Sequence, residues 1–245
     1  MSRALEEHLR RQFEHSRRFF WHRLRWRAVR KYVPGDEPLR LIDVGAGAGL
    51  LGEYVAKDRP NVAYEFAEPI ESLRADLRQR FGEQADATDR ASFGDARVVT
   101  LLDVLEHQED DRLFFEQLVA KMAPGSQLLL TVPANQQLWS EWDVALGHFR
   151  RYDKASLAAC CKGLPLDVQE ISYLFPEMVP MGKLRARRSR KGKLEVTEDS
   201  AEFPDLPAIA NDVLYGVGSL SLDLRRHSPL GTSVFLAARV RDSAG

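Results

Sequence analysis

From Leu39 onward, short apolar runs alternate with stretches in which apolar side chains recur every three or four residues. The runs at 39–44, 62–66, 96–102, 126–132, 166–174 and 232–240 have the length and content of buried strands. The segments 49–58, 69–81, 109–123 and 153–162 have helical spacing, and a weaker strand near 84–87 brings the expected number of strands to about seven. Pro124 and Gly125 mark one boundary sharply, because they stop a helix directly before the run "QLLLTV". Such alternation predicts an α/β fold, a doubly wound and mostly parallel sheet with helices on both faces.

The ends of this pattern differ. Residues 3–33 read as one or two amphipathic helices, with Leu5, Leu9 and Phe13, then Phe20, Leu24 and Ala28, each four residues apart. Between 175 and 231 a basic run, "KLRARRSRKGK", precedes an acidic one, "EVTEDSAEFPD", and then an apolar helical pattern at 207–224. Blocks of like charge are usually solvated, so a flexible basic loop and an ordered helix are expected before the last strand. One domain over 1–245 results: a helical cap (1–35), a core (36–174), an insertion (175–231) and a last strand with a tail (232–245).

Composition narrows the class. A chain of 245 residues with 44% hydrophobic content can fill one such core, and a formal net charge of −1 creates no global attraction for nucleic acid. The only cysteines, Cys160 and Cys161, are neighbours, and no Cys/His spacing suggests zinc. No metal and a reducing, cytoplasmic setting are the expectation. No stretch reaches the roughly 18 apolar residues of a membrane span.

Candidate chemistry begins at "LIDVGAGAG", where Gly45, Gly47 and Gly49 follow a strand and open a helix. Such a turn lets a ligand approach the backbone. Gly49 follows Gly47 by two residues where the dinucleotide fingerprint has three, and Asp43 before the turn suits a ligand with a cationic or hydrogen-bond-donating group rather than a pyrophosphate. "DVGAGAG" resembles the first motif of the class I S-adenosylmethionine-dependent methyltransferases. Glu68, 23 positions after Gly45, Asp86 in "QADATD" and the segment "LLDVLEH" fall in the order of that family's later motifs.

The resemblance implies a Rossmann-like fold with an antiparallel C-terminal strand and S-adenosylmethionine as cofactor. It implies cofactor contacts from Asp43, Gly45, Ala46, Gly47, Gly49, Glu68, Pro69, Asp86, Ala87, Leu102, Asp103 and Val104, with Glu68 on the ribose hydroxyls and Asp86 near the adenine. The same residues have plainer readings: Glu68 as the neighbour of a helix start at Pro69, and Asp86 as a turn cap.

The segment "PANQQLWSEWDVALGHFRRYDK" follows a strand end, where open α/β sheets bind ligands. With "FFWHRLRWR" and "SPLGTSVFLAARV" it resembles a bacterial methyltransferase subgroup with a W-S-x-x-D…G-H-x-R-R-Y motif, some members of which belong to polysaccharide or cell-envelope pathways. His148 and His107 are the candidates for a catalytic base, since imidazole titrates near neutrality. Trp139, Asp143, Arg150, Arg151 and Tyr152 are the candidates for substrate binding, the arginines as partners for carboxylate or phosphate. His148 reads equally well as a loop hydrogen-bonding residue, and one arginine as a partner of Asp143 or Asp153.

The function so implied is methyl transfer to oxygen or nitrogen of a small, or lipid- or glycan-linked, anionic substrate, with peripheral contact to anionic membrane through 183–193 and 207–224. A nicotinamide dehydrogenase is disfavoured by the glycine spacing. Methylation of base amino groups or of cytosine carbon is disfavoured because "LLDVLEH" carries neither an Asn/Asp-Pro-Pro-aromatic nor a Pro-Cys motif, which leaves RNA ribose or base methylation open. The alternative from another class is an anionic-surface or RNA-binding protein that keeps the fold without catalysis.

Overall fold

The computed structural model describes residues 19–192 and 206–242. Its strands are β1 (Leu39–Val44), β2 (Val62–Ala67), β3 (Val98–Leu102), β4 (Gln127–Pro133), β5 (Leu166–Leu174) and β6 (Ser233–Val240). They form one sheet in the order β2-β1-β3-β4-β6-β5, in which β1 to β4 pair in parallel and β6 is antiparallel to both neighbours. Six strands therefore form among the described residues, where about seven were expected. The weak candidate at 84–87 supplies a single bridge between Asp86 and Phe66, because Glu83–Ala85 closes into a 3-10 turn whose carbonyls take the amides a ladder would need.

The helices are α1 (Phe20–Val29), α2 (Leu50–Asp58), α3 (Glu71–Phe81), α4 (Asp111–Ala120), α5 (Glu141–Leu146), α6 (Lys154–Cys161), α7 (Val179–Arg190) and α8 (Ala208–Asp223). Alternation along each strand divides them between two faces. Ile42, Val99, Leu101, Leu128 and Leu130 point to the side that holds Phe115 and Leu118 of α4 and Leu157 of α6. Leu41, Val98, Leu129 and Phe235 point to the other, against Phe20 and Leu24 of α1, Val55 of α2 and Leu222 of α8. The expected apolar stripe Phe20, Leu24 and Ala28 is fully buried, while Leu5, Leu9 and Phe13 lie outside the described residues.

One expectation is corrected. Most of the basic run, expected as a flexible loop, is helix α7. Pro180 sits in its first turn, Ala186 is buried, and Arg185 pairs with Glu141, so the remaining charges fan out over a solvated helix face. Residues 193–205 lie outside the described residues. At the opposite end of the sheet, a bulge in β5 turns Glu170 inward to accept from Arg225, Arg226, Tyr32 and Ser172, which ties the end of α8 to the N-terminal segment.

Candidate active site

The chain leaves β1 toward β2 on one side and β3 lies on the other, so the carboxyl end of β1 is a topological switch point. A cavity of about 1060 Å³ opens there. Gly45, Ala46 and Gly47 form part of its wall, and Gly45 and Gly47 have φ of +70° and +56°. A Cβ on Gly45 would lie 2.4 Å from a methyl of Val104, so the turn also requires glycine sterically. Gly49 faces away from the cavity: it begins α2 in the left-handed conformation, and a Cβ there would meet Leu77 of α3 at 2.5 Å.

Two buried carboxylates flank this turn. Asp43 lies opposite Thr100 in the sheet register and accepts from its hydroxyl at 2.7 Å and from Tyr64 at 3.1 Å. Burial pushes its carboxyl up to about 6. Glu68 accepts from the amides of Gly47 at 2.7 Å and Ile70 at 2.8 Å, and burial pushes its carboxyl up to about 7. Each Glu68 oxygen retains a lone pair for a further donor. Pro69, Leu102, Asp103 and Val104 also line the cavity. Asp103, in the left-handed region at φ +59°, accepts from Thr131 and pairs with Arg25 of α1.

Asp86 and Ala87 are not in the wall. Asp86 is held by Arg74 and Arg78 of α3, and although burial alone would raise its carboxyl, those arginines and Thr88 hold it well below the usual range. Ala87 is fully buried, and Thr88 takes the wall position.

The facing wall comes from the segment after β4. Ser140 and Asp143 form a capping box at the start of α5, which buries Asp143 completely. Asp143 accepts from Arg151 Nε at 2.8 Å and Nη2 at 3.0 Å, and from His148 Nδ1 at 2.9 Å. Gly147 ends α5 in the left-handed conformation and turns His148 back onto that carboxylate. The amide of Phe149 then donates to the carbonyl of Glu106 at 2.8 Å, which brings the loop against "LEH". The rings of His107 and His148 meet edge to face, 4.7 Å between centres, and both line the cavity.

Of the expected substrate contacts, only Arg151 reaches the cavity wall, with its guanidinium already engaged by Asp143 and the carbonyl of Ala134. Trp139, Asp143, Arg150 and Tyr152 do not. Arg150 pairs with Asp111 and Tyr152 donates to Asp111 at 2.7 Å, so both face α4. From this segment Trp142, rather than Trp139, reaches the wall together with Phe149, and the Trp142 ring lies 4.3 Å under Arg185.

Sequence reading missed Phe19, Trp21 and Arg25, which line the cavity from the cap; the aromatic and basic residues interleaved in "FFWHRLRWR" were the available signal. It also missed Glu106, fully buried in the cavity wall with neither carboxylate oxygen hydrogen-bonded. Burial, with Asp103 beside it, raises its carboxyl well above the usual range.

A family model described as a methyltransferase domain (Methyltransf_23) matches residues 7–171, two-thirds of the chain. No curated protein sequence matches. Among solved structures, the phosphoethanolamine N-methyltransferase 2 of Haemonchus contortus, in complex with S-adenosyl-L-methionine, is 15% identical with a TM-score of 0.56. That match covers 89% of this chain, which spans about half (52%) of the nematode enzyme. A chain from the complex of the Haloferax volcanii Trm112 methyltransferase activator with a methyltransferase is 11% identical with a TM-score of 0.62, covering 99% of this chain and 96% of that one. The [4+2]-cyclase SpnF is 16% identical with a TM-score of 0.54, over 90% and 81% of the respective chains. The chain thus belongs to the methyltransferase-domain family and has the fold of the S-adenosylmethionine-dependent methyltransferases.

Proposed function

We propose that this methyltransferase takes S-adenosylmethionine at the glycine turn and methylates an oxygen or nitrogen of a small, or lipid- or glycan-linked, anionic acceptor. One observation carries the reading. A single cavity joins the bare turn and its two buried carboxylates to a polar cluster of Glu106, His107 and His148. When bound, the cofactor supplies a methyl group already activated on a sulfonium sulfur. Gly45 to Gly47 would face its amino acid portion, Glu68 would accept from its ribose hydroxyls, and Asp43 would favour its ammonium group.

The chain then has three tasks: to align the acceptor, to exclude water and to accept a proton from a hydroxyl or ammonium nucleophile. The cluster serves the third. With Nδ1 of His148 bonded to Asp143, its Nε2 presents a lone pair. Arg25, Arg151 and Arg185 in the wall support an anionic acceptor, whose charge would be shared with Asp103, Asp143 and Glu141. The W-S-x-x-D…G-H-x-R-R-Y subgroup assignment gains meaning from the hydrogen bonds that join Ser140, Asp143, His148 and Arg151. A non-catalytic surface protein has no observation of its own here.

Calorimetric titration with S-adenosylmethionine and S-adenosylhomocysteine, with NAD as control, tests the reading. Micromolar binding is expected, and no binding to either compound would overturn it. The pH dependence is specific. Glu68 must be ionised to accept two hydroxyls, so affinity is expected to be flat above about pH 8, to be roughly halved at pH 7, and to weaken about fivefold from 7 down to 6, approaching about tenfold per unit below that. Glu68→Gln should bind weakly with no such slope; an unchanged slope would exclude Glu68.

Membrane contact is part of the proposal. Ile209, Val213, Val217, Leu220 and Leu224 form an exposed apolar stripe along α8, which also supplies Leu214 to the cavity wall. No helix among the described residues is long and apolar enough to cross a membrane. Sedimentation with anionic liposomes at low salt, reversed by salt, is expected. Failure to sediment would remove the lipid-linked acceptor from consideration.

A further inference from the structure

We infer that Glu106, His107 and His148 form a binding site for a divalent transition-metal cation at the acceptor end of the cavity. One ligand atom from each lies within 4.8 Å of the others. Ligands of a first-row cation bound at about 2.0–2.2 Å stand about 3–3.5 Å apart, a closure within reach of small side-chain rotations. His107 and His148 already meet edge to face, and the Phe149 amide fastens their two segments together.

Glu106 is the second, independent observation. It is fully buried, and both of its oxygens lack a hydrogen-bond partner. An acceptor pair left in that state is costly, and a cation satisfies both oxygens at once. Four cationic side chains line the same cavity, and none bonds Glu106: Arg25 is paired with Asp103, Arg151 with Asp143 and Arg185 with Glu141, and Lys121 lies over the Phe93 ring.

The surroundings of His148 have the form of an outer coordination shell. Asp143 takes Nδ1 at 2.9 Å, which sets the tautomer that offers Nε2, and Arg151 and the Ser140 amide hold Asp143 in turn. Metal-bound histidines are oriented by carboxylates in this way. Two imidazoles and one carboxylate without a thiolate suit Mn²⁺, Fe²⁺, Co²⁺ or Zn²⁺ better than Ca²⁺ or Mg²⁺. Three protein ligands leave positions open toward the cavity, where an acceptor oxygen or nitrogen can reach the ion and lose its proton more readily. This catalytic consequence rests on the proposed function, whereas the cation site itself does not. Sequence spacing concealed the set, because two ligands are adjacent and the third lies 41 residues on.

The test uses the full chain, freed of any affinity tag and stripped with chelator, titrated with Co²⁺ and then Zn²⁺ by calorimetry and visible absorption. One Co²⁺ per chain is expected, with absorption bands that Zn²⁺ abolishes. Glu106→Gln and His148→Ala should each weaken binding at least a hundredfold. Titration with S-adenosylhomocysteine, expected to stay within threefold of wild type, verifies that each variant is folded. A variant that fails this check is replaced by His148→Gln or Glu106→Ala, for which the same loss is expected. Absence of stoichiometric Co²⁺ binding, or equal affinity in folded variants, would overturn the site and leave His148 as a proton acceptor. Co²⁺ binding without any cofactor binding would keep the site and reject the active-site reading.

Discussion

Gly47→Arg is expected to abolish binding of S-adenosylhomocysteine, by at least a hundredfold, while the protein stays folded. Gly47 has φ +56° and lines the cavity, with its amide on Glu68. A side chain there costs about 1–2 kcal/mol in backbone strain, which for a chain of this size lowers the melting temperature by roughly 2–4 °C per kcal/mol. The larger effect is on the ligand. The arginine would occupy the space beside the turn and bring its charge to Glu68 and Asp43, the groups proposed to meet the cofactor's donors. Calorimetry and thermal denaturation measured together separate the two effects. Undiminished affinity in a folded variant would place the cofactor somewhere other than the glycine turn.

The second large effect is expected at Asp143, which was anticipated as a substrate contact and is instead the buried centre of its loop. Asp143→Ala leaves the guanidinium of Arg151 without its carboxylate, in a position where that side chain is 13% exposed. Removing one partner of a buried ion pair costs about 3–5 kcal/mol, because the other charge stays desolvated. Here the capping box at α5 is lost as well. Urea denaturation of the single variant and of Asp143→Ala with Arg151→Ala provides the measurement. The double variant should lose clearly less than the sum of the two singles, since it removes both charges. A loss under about 1 kcal/mol for Asp143→Ala would mean that the loop does not depend on this pair.

These two residues also show how much was legible beforehand. At Gly47 the sequence was sufficient, because the demand is local: a strand, a turn that needs positive φ and a helix follow one another within a dozen residues. Asp143 could be recognised as chemically capable, but not as structural, since its partners follow from how the loop after α5 folds back on itself.

Hydrophobic periodicity marked the six strands, helices α2, α3, α4, α6 and α8 and the layering of helices on both faces of the sheet, and the glycines marked the turn at the end of β1, whereas α5 and α7 were not read from it. Leu41 and Ile42 suffice to show why: neighbouring side chains on a strand point to opposite faces, so alternation in sequence becomes two cores in space. The tertiary structure decided which polar groups are free to act. Asp86 and Arg150 were plausible site residues by type and position, yet α3 and Asp111 engage them. Glu106 was unremarked in sequence, yet burial left it unpartnered between two histidines. Apolar burial depends on a residue's own pattern, whereas the state of a charged group depends on which opposite charge folding brings within a few ångströms, and those partners lie up to tens of residues away in the chain.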